Sequence, residues 1–280
     1  MDKRRLVFFL SLVLGLGVLN YPFVSQWLDR QGQSREADAY TVQTRAMTSA
    51  EKQQMLQDAY AYNRQLAENR QQLQDGFTAV QETDAVYDDL LRVQDDGVMG
   101  YIQIPAIAVE LPIYHGTSTE VLQNGAGHLM QSSLPVGGAD THAVLSAHTG
   151  MADKALFTDL DQLQQGDCFT LQILDETLTY QVCAIATVWP YETDLLAIQP
   201  GRDLVTLVTC TPYGINSHRL LVTGERVKDG TEQSQTEAGR KTDGRWYWAE
   251  LFFGASVLVL LAGAIFLLRL QKKGGKQSYG

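Results

Sequence analysis

Between residues 98 and 227 the chain is a succession of short extended segments, and this limits its fold more than any other feature. Met-Gly-Tyr-Ile-Gln-Ile-Pro from Met99 and Ala-Val-Glu-Leu-Pro-Ile-Tyr from Ala108 are strand-like, with turns between them. Residues 143–147 (Ala-Val-Leu-Ser-Ala) read as a short buried strand ending at His148. Residues 168–174 and 178–188 read as a hairpin around Asp175-Glu176, and 204–209 and 220–227 complete the set. Residues 119–124 and 154–163 suit small helices. Many short strands with turn signals and few helices predict a mainly β fold, either a barrel or a sandwich.

The two ends differ from this middle. Residues 6–24 are apolar and nearly uncharged, long enough to span a bilayer. No small-x-small cleavage site follows them; Asn20-Tyr21-Pro22 stands there instead, so a retained helix is expected rather than a cleaved signal peptide. At the other end, Trp246-Tyr247-Trp248 precedes residues 249–268, whose only charge is Glu250. Aromatic residues at the entry and basic residues at the exit fit a membrane helix. Lys3, Arg4 and Arg5 precede the first run, and Arg269, Lys272, Lys273 and Lys276 follow the second. Both basic clusters are then cytoplasmic, and the middle of the chain lies outside the cell. The net charge is −10 although these basic residues crowd the ends, so the middle is more acidic still. An acidic body lacks the basic footprint of a nucleic-acid binder.

Between the first apolar run and the strands, residues 31–49 are polar and acidic and read as a linker. Met55, Ala59, Tyr62, Leu66 and Leu73 recur at helical spacing, predicting a helix over residues 50–73 that packs on the domain. Asp75-Gly76-Phe77 breaks that pattern, and a short helix is expected over 85–93. Residues 228–244 have the composition of a flexible tether.

The chemistry centres on residues 204–222. Leu-Val-Thr-Leu-Val-Thr-Cys210 is one strand, Pro212 and Gly214 interrupt it, and Arg219-Leu-Leu-Val is the next. If the two pair as a hairpin, Cys210 and Arg219 face each other across its open end. A guanidinium beside a thiol favours the thiolate, which is the nucleophilic form. The other cysteines, Cys168 and Cys183, match no zinc spacing. A two-residue turn at Asp175-Glu176 would set them opposite each other, as a cross-strand disulfide or as two small buried hydrophobes.

A thiol nucleophile needs an acid–base partner, normally histidine. His115 sits in a turn, His128 lies in Gly-His-Leu, and His142 starts a strand and is expected to face solvent. His218 is next to Arg219, on the opposite face of a regular strand. His148 is favoured, because the end of a strand presents its side chain at the rim of a barrel, as Cys210 also does. Residue types alone take the choice no further.

Thr206-Leu-Val-Thr-Cys210 followed by Thr-Pro-Tyr-Gly and His-Arg-Leu-Leu-Val resembles the signature of the sortases, most closely the pilus-building class C sortases. Gly100-Tyr-Ile-Gln-Ile-Pro, Leu111-Pro-Ile-Tyr-His-Gly, Gly127-His-Leu, Ser133-Leu-Pro-Val-Gly-Gly, Thr141-His-Ala-Val-Leu-Ser-Ala-His148 and Leu156-Phe-Thr-Asp-Leu carry the resemblance in matching order through most of residues 98–227. It implies an eight-stranded β-barrel with short helices, an N-terminal helical and lid segment, and two transmembrane helices. It also implies a site in which Cys210 is the nucleophile, His148 the acid–base residue and Arg219 the oxyanion or substrate-orienting donor. The expected substrate is an LPXTG-like sorting signal, cut between Thr and Gly. The acyl acceptor would be a lysine of a pilin subunit or, in a wall-anchoring enzyme, an amine of a peptidoglycan precursor. No metal or organic cofactor is implied.

The resemblance divides the chain into an anchor (1–30), a linker, helix and lid segment (31–97), the catalytic barrel (98–227), a tether (228–245), a second membrane helix (246–270) and a cytoplasmic tail (271–280). Two departures stand out. Class C lids carry Asp-Pro-aromatic, where this chain has Asp75-Gly76-Phe77, which keeps the acid and the ring but not the fixed φ of proline. The expected lid is present and more mobile. The family often has Gly-His-Arg-Gly around the histidine, where this chain has Ala147-His148-Thr149-Gly150.

Overall fold

The structure is a computed structural model that describes residues 3–69, 73, 84–93, 97–151 and 153–227, with 254, 256, 259 and 263 near the C-terminus. The chain forms two compact units, one of Met1–Leu28 with Thr242–Gly280 and one of Asp29–Lys241.

The second unit holds eight strands: β1 (Val98–Ile104), β2 (Val109–His115), β3 (Ala126–His128), β4 (Thr141–Ser146), β5 (Cys168–Ile173), β6 (Glu176–Val188), β7 (Asp203–Thr211) and β8 (His218–Arg226). They close into a barrel in the order β1-β2-β3-β4-β7-β8-β6-β5. The pairs β2/β3 and β4/β7 are parallel and the rest antiparallel. The eight-stranded barrel expected from the sequence is therefore present, and closure leaves no exposed sheet edge.

Strand alternation sorts the side chains into two sets. Ala143, Leu145, Ala147, Leu207, Leu220 and Val222 belong to the main core inside the barrel. Val144, Val208 and Leu221, one residue out of step with these, join Leu73, Leu129 and Leu196 in a second apolar cluster on the outer face.

Helices pack around this frame. α1 (Lys3–Ala46) is longer than expected, because the stretch read as a linker continues the helix. Its polar composition hides an inward stripe. Tyr40 and Thr44 are buried, the Tyr40 hydroxyl donates to Met99 O at 3.0 Å, and it accepts from Leu174 N at 3.0 Å. α2 (Ser49–Asn69) begins with a reciprocal cap, in which Thr48 N donates to Glu51 and Glu51 N donates to the Thr48 hydroxyl. The buried Asn63 of α2 bonds both the N–H and the carbonyl of Leu134. α3 (Ala85–Asp89) is capped by Asp84, and α4 (Thr119–Asn124) by Ser118. Residues 154–163 do not form the small helix expected. Leu156 has φ 44, which breaks the pattern, and only Leu160–Gln162 closes a 3-10 turn.

The β5–β6 turn is one residue earlier than the Asp175-Glu176 signal suggested. Ile173 pairs with Glu176, and Leu174 takes φ 51 in the turn. Cys168 consequently faces Gln181 rather than Cys183, and the two form no disulfide.

In the first unit, residues 6–24 are helical as part of α1, and the Ser256 hydroxyl donates to Asn20 Oδ1 at 3.2 Å. Among the described residues, no helix is long and apolar enough to cross a membrane. Residues 246–253 and most of 249–268 lie outside the described residues.

Candidate active site

Cys210 lies near the end of β7 and is the direct partner of Arg219 on β8. Alternation places Cys210 on the outer face, because Val208 before it is outward and Thr209 between them is buried with its hydroxyl donating to Ala147 O at 2.8 Å. Arg219 shares that face with Leu221. The arginine is only 6% exposed, and its Nη1 donates to His218 O at 3.2 Å and Asn216 O at 3.4 Å. These bonds aim a planar donor group along the rim of the barrel.

The connection from β7 to β8 is shaped by its own residues. Pro212 O accepts from Ile215 N at 3.0 Å and Asn216 N at 2.9 Å. Gly214 and Asn216 both take positive φ, 77 and 59, which glycine and asparagine tolerate best.

His148 reaches the same level from β4. Ser146 pairs with Val208 in the parallel β4/β7 ladder, so residues two further on, His148 and Cys210, follow side by side on one face. Three bonds fix the backbone there. Ala147 N donates to Val208 O at 3.1 Å, Ala147 O accepts from Thr209, and His148 O accepts from Phe157 N at 3.1 Å. His148 is half-buried, and that burial lowers its imidazole below the ordinary value of 6.5. The three residues expected at the site are thus brought to one rim of the barrel from three strands.

The remaining histidines have other work. His128 is fully buried, with Nδ1 2.8 Å from the Tyr87 hydroxyl and Nε2 2.8 Å from Ser133 O. Desolvation pushes it down to about 4. His142, expected to face solvent, is buried, with Nδ1 2.9 Å from Ala197 O and Nε2 2.7 Å from the Thr206 hydroxyl. The cause is that β4 is covered on both faces, outside by the chain around Leu196 and Ala197. His115 bonds Gly97 O and Leu90 O at the end of β2. His218 packs against Trp189 with ring centroids 4.1 Å apart and planes tilted by 34°. Cys168 is buried on β5, and Cys183 lies on β6 with Arg202 Nη2 3.7 Å from its sulfur.

A narrow groove with about 10 Å³ of free room lies on the outer face beside Arg219. Val144, Ser146, Val208 and Leu221 form its floor, and the chain after β6, Trp189 to Leu196, forms one wall. Leu73 is buried in the same apolar cluster, and its carbonyl accepts from the Thr193 hydroxyl at 2.9 Å. Asp75 and Phe77, the expected lid residues, lie outside the described residues. The groove, Trp189 and the place of Leu73 were not read from the sequence. Counting back in twos from Cys210 and His148 would have found Val208, Ser146 and Val144.

Arranged this way, a thiol, an imidazole and a guanidinium beside an apolar groove can attack a peptide carbonyl, hold its oxygen and protonate the departing amine. The chain matches the sortase domain over residues 102–227. It is 30% identical to sortase A of Streptococcus agalactiae over 54% of this chain and 61% of that protein. The chain spans 60% to 63% of the length of the first curated relatives that it matches. Among solved structures it resembles sortase C of Streptococcus pneumoniae, described for its catalysis and pilin substrate specificity, at 42% identity and TM-score 0.64 over 69% of this chain and 97% of that one. It also resembles sortase C-1 of Actinomyces oris, at 47% identity and TM-score 0.60 over 64% of this chain and 99% of that one. With the barrel, the rim of thiol, imidazole and guanidinium, and likeness at this level over nearly all of the solved sortase C chains, the chain belongs to the sortase family, in its class C branch.

Proposed function

We propose that the chain is a membrane-anchored transpeptidase that cuts an LPXTG-like sorting signal between Thr and Gly and joins the acyl group to a pilin lysine. The observation that carries this reading is the alignment of Cys210, Arg219 and His148 on one face at one end of the barrel. The Cys210 thiolate attacks the Thr carbonyl carbon, and Arg219 donates to the oxygen as charge develops there. The C–N bond to Gly breaks as protonated His148 gives its proton to the leaving amine. A thioester on Cys210 remains. The incoming lysine amine attacks it, gives a proton to neutral His148, and expels the thiolate.

The membrane reading rests on the two apolar runs and their basic flanks. The bond between Ser256 and Asn20 supports it, because polar side chains inside apolar helices stabilise contacts between helices. The barrel would then stand outside the cell, with both termini cytoplasmic. Wall anchoring through a peptidoglycan-precursor amine is the alternative acceptor chemistry. Incubating the full chain with a pilin that carries a sorting signal separates the two: covalent ladders are expected, and wall attachment without ladders would overturn the pilus reading.

A further inference from the structure

The Ser146 hydroxyl is one of two buried side-chain polar atoms among the described residues that have no hydrogen-bond partner. It is 1% exposed. The other, Gln43 Oε1, sits on α1. Leaving a hydroxyl buried and unpaired is unfavourable, and such groups are few in native proteins. The position explains why the hydroxyl has no local partner. β4 is hydrogen-bonded on both edges, to β3 at Gly127 and to β7 at Val208, so its main chain is consumed by the ladders. On the groove floor Ser146 lies among Val144, Val208 and Leu221, and although Thr193, Glu192 and Arg219 line the same groove, none of them bonds its hydroxyl. A valine or alanine would fill this position without an unpaired group.

A partner for this hydroxyl has to come from a group that enters the groove. Ser146 is two residues before His148 on the same face, so it stands one pleat, roughly 6.6 Å, below the rim. An extended peptide whose scissile carbonyl is at Cys210 advances by the same repeat, so its acyl side brings a peptide group to Ser146 two residues away. Beside the groove, the wall residue Thr193 already bonds main chain, its hydroxyl donating to the Leu73 carbonyl while the Leu73 side chain packs in the apolar cluster.

We propose that the Ser146 hydroxyl determines substrate fit by donating a hydrogen bond to a backbone carbonyl of the sorting peptide, one pleat to the acyl side of the scissile bond. This rests on the transpeptidase reading above. Ser146 is a positioning residue and takes no part in the chemical steps.

The test measures acylation of Cys210 in the full chain, purified in detergent, by a sorting peptide and by a series of its depsipeptides. Each ester weakens one carbonyl as an acceptor. Ser146→Ala is expected to lower kcat/KM roughly tenfold, mainly through KM, and Ser146→Thr to restore most of it. Labelling of Cys210 by a small thiol reagent and the Tm should not fall in Ser146→Ala, since the hydroxyl has no partner in the free enzyme. One ester should cost the wild type a similar factor and cost Ser146→Ala nothing further. Equal kcat/KM in wild type and Ser146→Ala would overturn the inference, as would losses from ester and mutation that simply multiply at every position. A fall in Tm and reagent labelling that parallels the loss of acylation would assign Ser146 a structural role instead. A wild type that the thiol reagent labels but no sorting peptide acylates would overturn the transpeptidase reading, and this inference with it.

Discussion

Cys210 and Arg219 are direct partners across the β7–β8 hairpin, the thiol half-buried and the guanidinium almost wholly so. The shape of the donor therefore matters as much as its charge. A lysine in place of Arg219 keeps the charge but loses the planar fork. Arg219→Lys is expected to lower kcat/KM for a sorting peptide about a hundredfold, in the range for loss of one oxyanion donor. Retention of near wild-type turnover would show that a point charge suffices.

Leu73 is buried in the apolar cluster on the outer face, two residues before Asp75. Its side-chain burial is worth roughly 2 kcal/mol. Leu73→Ala, Asp75→Ala and Phe77→Ala are each expected to speed labelling of Cys210 by a bulky thiol reagent, by about tenfold for Leu73→Ala. Unchanged labelling in all three would mean that this segment does not cover the site.

His148 is expected to titrate below 6.5, because burial disfavours its charged form. An NMR titration of its ring protons reads this directly, with His148→Gln identifying the resonance. At neutral pH the neutral imidazole is then the major form, ready to accept a proton, and the minor imidazolium is quick to return it. A titration at or above 6.5 would contradict the burial argument.

His128 predicts a pH dependence of stability. Its folded value of about 4 lies below the ordinary 6.5, so the folded state resists protonation more than the unfolded state. The stabilisation is complete above 6.5 and is lost as the pH falls from 6.5 towards 4, with an order of magnitude of about 3 kcal/mol. Urea titrations at several pH values should show this loss in the wild type and a flatter profile in His128→Gln. Equal slopes would place the acid sensitivity elsewhere, for example at His142, which burial also lowers.

Much of the barrel was legible because its strands are made of β-branched and apolar runs cut by turn residues. The placing of Cys210 opposite Arg219 followed from the hairpin alone. The features that escaped depend on contacts between distant segments. Tyr40 anchors a helix whose composition reads as linker, because a few buried positions suffice when the barrel supplies the partner. His142 looked exposed because nothing near it in sequence announces that Ala197 will cover it. The β5–β6 register slipped by one because Leu174, not a typical turn former, takes the left-handed position. Ser146 looked like an ordinary strand residue, and only the packing on both sides reveals its unpaired hydroxyl.

The β4/β7 seam is parallel, and a parallel pair cannot be closed by a tight turn. All of β5 and β6 must cross between its two strands. Local folding can set the arginine opposite the thiol, but not the imidazole beside it. Contacts of such long sequence separation form late and slowly. A nascent or partly unfolded chain therefore lacks the imidazole beside its thiol, and the full constellation arrives together with the completed barrel.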